Sequence, residues 1–141
     1  MIAIGSDHRG YKLKEHVKEF LEQEGFGYVD FGTDSEERVD SLPIITRVCK
    51  SIQEGVCDRG ILICGTGLAM CITANKFKRI MCTLCNDELS SVRSREHNDS
   101  NILCLGERVV GEGLALDICK AWLKGVYEGG RHQRRVEMID N

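Results

Sequence analysis

Four short polar segments hold the side chains of this sequence that could do chemistry. Cys64-Gly65-Thr66-Gly67-Leu68-Ala69-Met70 follows the apolar run Ile61-Leu62-Ile63. A thiol at the end of a strand and just before a helix N-terminus sits where a thiolate is favoured. Gly65 and Gly67 let the backbone approach a ligand closely, so their amides can hold negative charge developing there. A thiolate base beside amide donors suits removal of a proton next to a carbonyl, with the amides holding the resulting enediolate. A buried cysteine before a turn that only reverses the chain is the plainer alternative. Gly5-Ser6-Asp7-His8-Arg9-Gly10 has the glycine spacing of a Walker A loop, but Tyr11-Lys12-Leu13 follows where Lys-Ser/Thr is required. The nucleotide loop is therefore excluded. What remains is His8 as an anion ligand at a helix N-terminus, or Asp7 or Ser6 as a plain helix cap. In Ser94-Arg95-Glu96-His97-Asn98-Asp99, His97 is the best candidate for a general acid or base, because histidine is the side-chain type suited to proton transfer near neutrality; a solvated histidine is its alternative. In Gly129-Gly130-Arg131-His132-Gln133-Arg134-Arg135, Arg131 and Arg135 are four apart. On a helix they share a face and make a fork for a phosphate, although a basic end also suits a helix C-terminus. Arg108, beyond the last apolar run, adds a further cation.

Alternation of apolar and helical patterns supplies the elements that must position these groups. Ile2-Ala3-Ile4, Tyr28-Val29-Asp30-Phe31, Ile61-Leu62-Ile63, Ile80 to Leu84 and Ile102-Leu103-Cys104-Leu105 read as five strands. Between them, Leu13, Val17, Phe20 and Leu21 recur at helical spacing, as do Ile45, Val48 and Ile52. A short helix runs through Met70 and Ala74, a polar one from about Asp87 to Arg95, and another carries Leu114, Ile118, Ala121 and Trp122. A basic helix over 127–141 closes the chain. Strand-helix alternation throughout predicts right-handed crossovers and a three-layer, doubly wound α/β fold around a five-stranded parallel sheet. No linker or repeat divides residues 1–141, so one domain is expected. In such folds ligands bind beyond the carboxyl ends of the strands, where strand order reverses.

Composition excludes several classes of function. Nineteen basic against twenty-two acidic side chains leave a net charge of −3, with no basic excess for a nucleic-acid backbone. The longest apolar runs are about four residues, against roughly twenty needed to cross a bilayer. No basic, then apolar, leader opens the chain. The expectation is a cytoplasmic protein that binds neither nucleic acid nor membrane. Eight cysteines, at 49, 57, 64, 71, 82, 85, 104 and 119, are then expected as reduced thiols, most of them acting as small buried hydrophobes. Cys82 and Cys85 form one CxxC, but on a strand residues three apart face opposite sides and cannot chelate one ion. No metal site is expected. Gly65-Thr66-Gly67 lacks the third glycine of a dinucleotide fingerprint, and no aromatic pair is placed to sandwich a flavin.

Five motifs, taken in order, resemble the B-type ribose-5-phosphate isomerases, a family that also includes galactose-6-phosphate and allose-6-phosphate isomerases. They are Gly5-Ser6-Asp7-His8, Gly60-Ile61-Leu62-Ile63-Cys64-Gly65-Thr66-Gly67, Ala74-Asn75-Lys76, Ser94-Arg95-Glu96-His97-Asn98-Asp99 and Glu128-Gly129-Gly130-Arg131-His132-Gln133. The resemblance covers essentially the whole chain. It implies a flavodoxin-like sheet, a homodimer or homotetramer with active sites shared between subunits, a sugar-phosphate substrate, and no cofactor or metal. The implied reaction interconverts ribose 5-phosphate and ribulose 5-phosphate. By position, Cys64 is then the base that shuttles a proton between C1 and C2. Thr66 and His97 open the furanose ring, with His97 as proton donor. Gly65, Gly67, Leu68 and Ala69 hold the enediolate oxygens, while Asp7, His8 and Asn98 contact substrate. Arg108, Arg131 and Arg135 receive the phosphate. The same scaffold could instead serve allose 6-phosphate or another hexose phosphate, or a non-catalytic sugar-phosphate sensor that would need neither Cys64 nor His97.

Two positions depart from the family pattern. Ser41-Leu42-Pro43 stands where the family commonly has Tyr-Pro, and Ala69 stands where it usually has glycine. If position 69 needs a positive φ, alanine strains the loop. A smaller side chain at Ser41 leaves room for a longer sugar. Both departures bear on the substrate rather than on the reaction.

Overall fold

The structure is a computed structural model and describes residues 1–139. In chain order its elements are β1 (Ile2–Ser6), α1 (Tyr11–Gln23), β2 (Tyr28–Asp30), α2 (Leu42–Gln53), β3 (Arg59–Cys64), α3 (Leu68–Ala74), β4 (Cys82–Leu84), α4 (Glu88–Glu96), β5 (Ile102–Gly106), α5 (Glu112–Lys124), a 3-10 turn (Gly130–His132) and α6 (Gln133–Ile139). All strand pairs are parallel, in the order β2-β1-β3-β5-β4. The five-stranded, three-layer sheet is the one the alternation predicts. Its order differs from the flavodoxin order only in the last two strands. Burial gives the reason: β5 is buried at all five positions, whereas β4 is three residues long and buried only at Cys82. The fully apolar strand takes the interior place.

Alternation along the strands sends side chains to two cores. Ile2, Ile4, Ile61, Ile63, Leu103 and Leu105 pack against Leu13, Val17 and Leu21 of α1 and against Ile118 and Trp122 of α5. Ala3, Leu62, Cys64, Ile102 and Cys104 face Ile45 and Val48 of α2 and Met70 and Ala74 of α3. Each such aliphatic side chain contributes on the order of 1.5–3 kcal/mol on burial. Cys82 and Cys85 indeed fall in different cores, one on each side of the sheet. Among the described residues no helix is long and apolar enough to cross a membrane.

Two long-range polar contacts fix the loops at the carboxyl end of the sheet. The N-terminus of α1 has no side-chain cap of its own; instead Glu107, just past β5, accepts from the Leu13 amide at 2.7 Å. Lys14 is fully buried, with its ammonium 2.8 and 2.7 Å from the two oxygens of Asp30 and hydrogen-bonded to the Thr33 carbonyl. Desolvation pushes the Asp30 carboxyl up, but hydrogen bonds from Lys14, the Gly32 amide and Lys18 outweigh it and hold the carboxyl below its ordinary value.

Two expected boundaries shift. The fourth strand starts at Cys82 rather than Ile80, because Arg79 has a left-handed φ of 63° and Asn101 holds the Met81 amide through its side chain at 2.7 Å. The basic tail does not begin its helix at 127: Gly129 and Gly130 have φ of 65° and 53°, which a right-handed helix cannot accommodate. A 3-10 turn over Gly130–His132 precedes α6, whose right-handed helix starts at Gln133, and residues 140–141 of the expected helix lie outside the described residues.

Candidate active site

Strand order reverses between β1 and β3, so their carboxyl ends flank the crevice where α/β sheets bind ligands. The turns leaving those two strands carry Asp7-His8 and Cys64–Gly67. They are joined by a hydrogen bond from the Asp7 amide to the Ile63 carbonyl at 3.2 Å. Beside them the turn after β5 is tied down by the amides of Glu107 and Arg108, which donate to the carbonyls of Cys64 and Gly65 at 2.9 and 3.0 Å.

The thiol of Cys64 is buried, 6% exposed, and accepts a hydrogen bond from the Gly67 amide at 3.1 Å. That bond depends on the backbone at Gly67, where φ is +82° and an added Cβ would lie 2.5 Å from Leu84 Cδ1 and 3.2 Å from the Leu105 carbonyl carbon. Thr66 is exposed and its hydroxyl accepts from the Leu68 amide at 3.3 Å. The first-turn amides of a helix lack partners within the helix. In α3 the sulfur and the Thr66 hydroxyl occupy those of Gly67 and Leu68, which leaves those of Ala69 and Met70 for a ligand. Ala69 lies inside α3, exposed, with an ordinary helical φ. The anticipated strain is therefore absent, because the left-handed residue of this loop is Gly67.

On the other side of the crevice, Asp7 serves the backbone. Its Oδ1 accepts from the amides of Arg9 and Gly10 at 2.9 and 3.1 Å, which closes the turn before α1 rather than capping the helix, whose N-cap is Gly10. His8 Nδ1 accepts from the Val39 amide at 3.3 Å, so its neutral form carries the proton on Nε2 as a donor. His8, Arg9, Lys12 and Arg108 line an open depression of about 240 Å³ with Glu36 and Glu107. Glu36 is 3.4 Å from Lys12 and Glu107 is engaged at α1. An excess of cation therefore faces an anionic ligand there.

His97, Asn98, Arg131 and Arg135 are not in this crevice. His97 ends α4 and precedes β5, at the amino end of the sheet. Cys64 pairs with Gly106 at the far end of β5. The four steps of β5 alone separate the two ends by about 13 Å at ~3.3 Å per residue. The tail joins His97 there through a hydrogen bond from the Glu128 amide to the Glu96 carbonyl at 3.0 Å. The ring of His132 stacks on that of His97, with centroids 4.2 Å apart and planes 13° from parallel. Glu128 Oε1 lies 3.9 Å from His97 Nε2 and 3.5 Å from His132 Nε2. Arg131 is exposed beside this pair, its Nε 3.5 Å from His132 Nε2, and Arg135 is exposed one turn along α6. Asn98 is exposed at the rim of a depression that also touches Met81 and Ile139. Spacing alone assigns no role to His132 and Glu128: their i, i+4 relation is visible in the chain, but the stacking on His97 depends on a tertiary contact.

Among the described residues, two groups of side chains have metal-ligand spacing. His97, Glu128 and His132 form one, and Cys71, Cys82 and Cys104 the other. Imidazole lone pairs lie in the ring plane, so two parallel stacked rings do not converge on one ion, and the first group reads as a stacked pair with an acceptor. Elsewhere, burial pushes the thiols of Cys49 and Cys119 up to about 12, which leaves both inert.

A family model described as Ribose/Galactose Isomerase matches residues 2–139. Ribose-5-phosphate isomerase B of Escherichia coli is 47% identical over 138 residues, covering 98% of this chain and 93% of that protein. The structure of the Clostridium thermocellum ribose-5-phosphate isomerase B superposes with a TM-score of 0.97 at 50% identity, covering 99% of this chain and 94% of that one. The Mycoplasma genitalium ribose-5-phosphate isomerase B, solved with bound ribulose-5-phosphate, superposes at 0.92 with 37% identity, covering 98% and 92%.

Proposed function

This chain belongs to the ribose/galactose isomerase family, and from that premise we propose that it interconverts ribose 5-phosphate and ribulose 5-phosphate through an enediolate. Its ribose-5-phosphate isomerase B relatives support a pentose phosphate as substrate. The observation that carries the reading is the buried Cys64 sulfur at the β1/β3 crevice, with the Gly67 amide directed at it. As thiolate, Cys64 takes the proton from C2 of the open-chain aldose and returns it to C1. The pair of electrons left behind makes the C1–C2 double bond, and negative charge moves to the carbonyl oxygen. The amides of Ala69 and Met70, which the loop itself does not engage, would receive it.

Ring opening needs an acid at the ring oxygen, and the chain's candidate, His97, stands at the other end of its own sheet. A second copy resolves this. If the amino end of one sheet packs near the carboxyl end of another, His97, Asn98, Arg131 and Arg135 of one subunit complete the crevice of its neighbour. In that arrangement His8 and Arg108 from one subunit and the tail arginines from the other hold the phosphate. Remote phosphate binding then fixes C1 and C2 against the sulfur. A homodimer is the smallest assembly that satisfies this, and a twofold axis makes two equal sites. A hexose phosphate is the second reading. Val39, which binds His8, and Asp40 line a depression of about 560 Å³ with Pro43, and the small Ser41 stands between Asp40 and Pro43 in the chain, where a longer sugar would extend.

The test is ketose formation by the purified protein from ribose 5-phosphate, allose 6-phosphate and galactose 6-phosphate. The pentose is expected to lead, and Cys64→Ala is expected to abolish turnover while phosphate binding persists. Turnover led by a hexose would replace the substrate, and full turnover by Cys64→Ala would remove the thiol from the mechanism.

A further inference from the structure

Outside the crevice, three thiols from three different elements converge. Cys71 comes from the middle of α3, Cys82 from β4 and Cys104 from β5. Their sulfurs all lie within 4.8 Å of one another, and those of Cys82 and Cys104 are 3.1 Å apart. Cys82 and Cys104 are buried and Cys71 is half-buried, so the group has two anchored ligands and one that opens toward solvent. Asn75, one turn beyond Cys71, is locked onto Cys82: its Oδ1 accepts from the Cys82 amide at 2.7 Å and its Nδ2 donates to the Cys82 carbonyl at 2.8 Å. The same Nδ2 lies 3.7 Å from Cys71 Sγ. A held amide donor beside a thiolate is the kind of outer partner that orients metal-bound sulfur.

We propose that Cys71, Cys82 and Cys104 form a three-thiolate site for a thiophilic divalent cation of the zinc class, with Asn75 as its outer hydrogen-bond donor. A metal–sulfur distance of about 2.3 Å places tetrahedral thiolates roughly 3.8 Å apart. The Cys82–Cys104 separation of 3.1 Å lies below that value and the 4.8 Å ceiling of the group above it, so small side-chain rotations bring the sulfurs to it. Soft thiolates select d10 cations over magnesium or calcium. Binding converts three S–H bonds to metal–sulfur bonds, each sulfur keeping the electron pair, and the protons pass to buffer. No oxidant is involved. Solvent supplies the fourth ligand on the Cys71 side. The ion fastens α3, the helix that leaves the Cys64–Gly67 loop, to β4 and β5. This site shares no residue with the proposed catalytic group and stands independently of the substrate. The CxxC pair did not reveal it, because only Cys82 of that pair takes part and the other ligands are 11 residues before it and 22 after it.

The probe is Cd2+ titrated into the reduced full-length protein, read by the ultraviolet thiolate-to-cadmium charge-transfer band and by the thermal midpoint. Wild type and Cys64→Ala are expected to give the same band, saturating at one ion per chain, with the midpoint raised in both. Cys71→Ser, at the half-buried position, is expected to lose a large part of the band and roughly tenfold or more in affinity. Cys104→Ala should do the same, its fold checked by circular dichroism. A Cys71→Ser protein that titrates like wild type would overturn the proposal, as would a band that disappears in Cys64→Ala.

Discussion

Replacing Gly67 by alanine tests how the thiol is held. At φ +82° an alanine takes a left-handed conformation that costs about 1–2 kcal/mol. The new methyl would also stand 2.5 Å from Leu84 Cδ1 and 3.2 and 3.3 Å from the Leu105 carbonyl carbon and oxygen. Leu84 can rotate its flexible end away, but Leu105 is a fully buried backbone position inside β5 and cannot. Overpacking of this kind costs roughly 1–3 kcal/mol, so Gly67→Ala should destabilise by about 2–5 kcal/mol in total. Gly113 provides the contrast. It lies within α5, where an added Cβ meets open space, and Gly113→Ala should stabilise by about 0.5–1 kcal/mol through helix propensity. Urea midpoints measured at one protein concentration compare the three proteins. In the kinetic arm, shifting the Gly67 amide off the sulfur should lower kcat by about 100-fold, the penalty of a displacement near 1 Å. A Gly67→Ala protein with wild-type midpoint and wild-type kcat would refute both the steric argument and the role given to this loop.

Two further outcomes follow from the ion pairs and the phosphate cations. Asp30→Asn leaves the buried Lys14 ammonium with only the Glu15 carboxylate, 3.7 Å away, as counter-charge and should cost about 3 kcal/mol near neutrality. Because the folded-state pKa of Asp30 lies below its ordinary value, the pair's contribution is complete above about pH 4. It is lost as pH falls through the folded value. The gap between wild type and variant should therefore close on acidification, and a gap independent of pH would rule out the charge as its cause. Arg108→Ala and Arg135→Ala should each raise KM for the sugar phosphate with a smaller change in kcat; an unchanged KM for either would move the phosphate anchor elsewhere.

Much of the fold is legible in the residues because its signals are local and periodic. The apolar spacing of Leu13, Val17 and Leu21, the buried runs of β3 and β5 and the glycine turns need no distant partner to be read. The Cys64–Gly67 loop and the Asp7-His8 turn are legible for the same reason: a strand end before a helix marks them. What escapes is everything set by contacts between remote segments. Lys14 reads as a surface lysine until Asp30 and Thr33 surround it, and Glu107 reads as a loop acid until it caps α1. The place of β5 inside β4 depends on relative burial, and the three thiols meet only once α3 packs on that pair. The separation of His97 from Cys64 follows from its position before a strand rather than after one. That clue is present in the chain, but its force appears only with the register of β5.

The most direct measurement takes two inactive variants, Cys64→Ala and His97→Ala, unfolds them together in equal amounts and refolds the mixture. If each site takes its thiol from one subunit and its imidazole from another, half the dimers are mixed and each mixed dimer has one intact site of two. Activity should then return to about a quarter of the wild-type value. If both groups acted within one chain, every chain would still carry a lesion, and a mixture as inactive as its components would contradict the shared site.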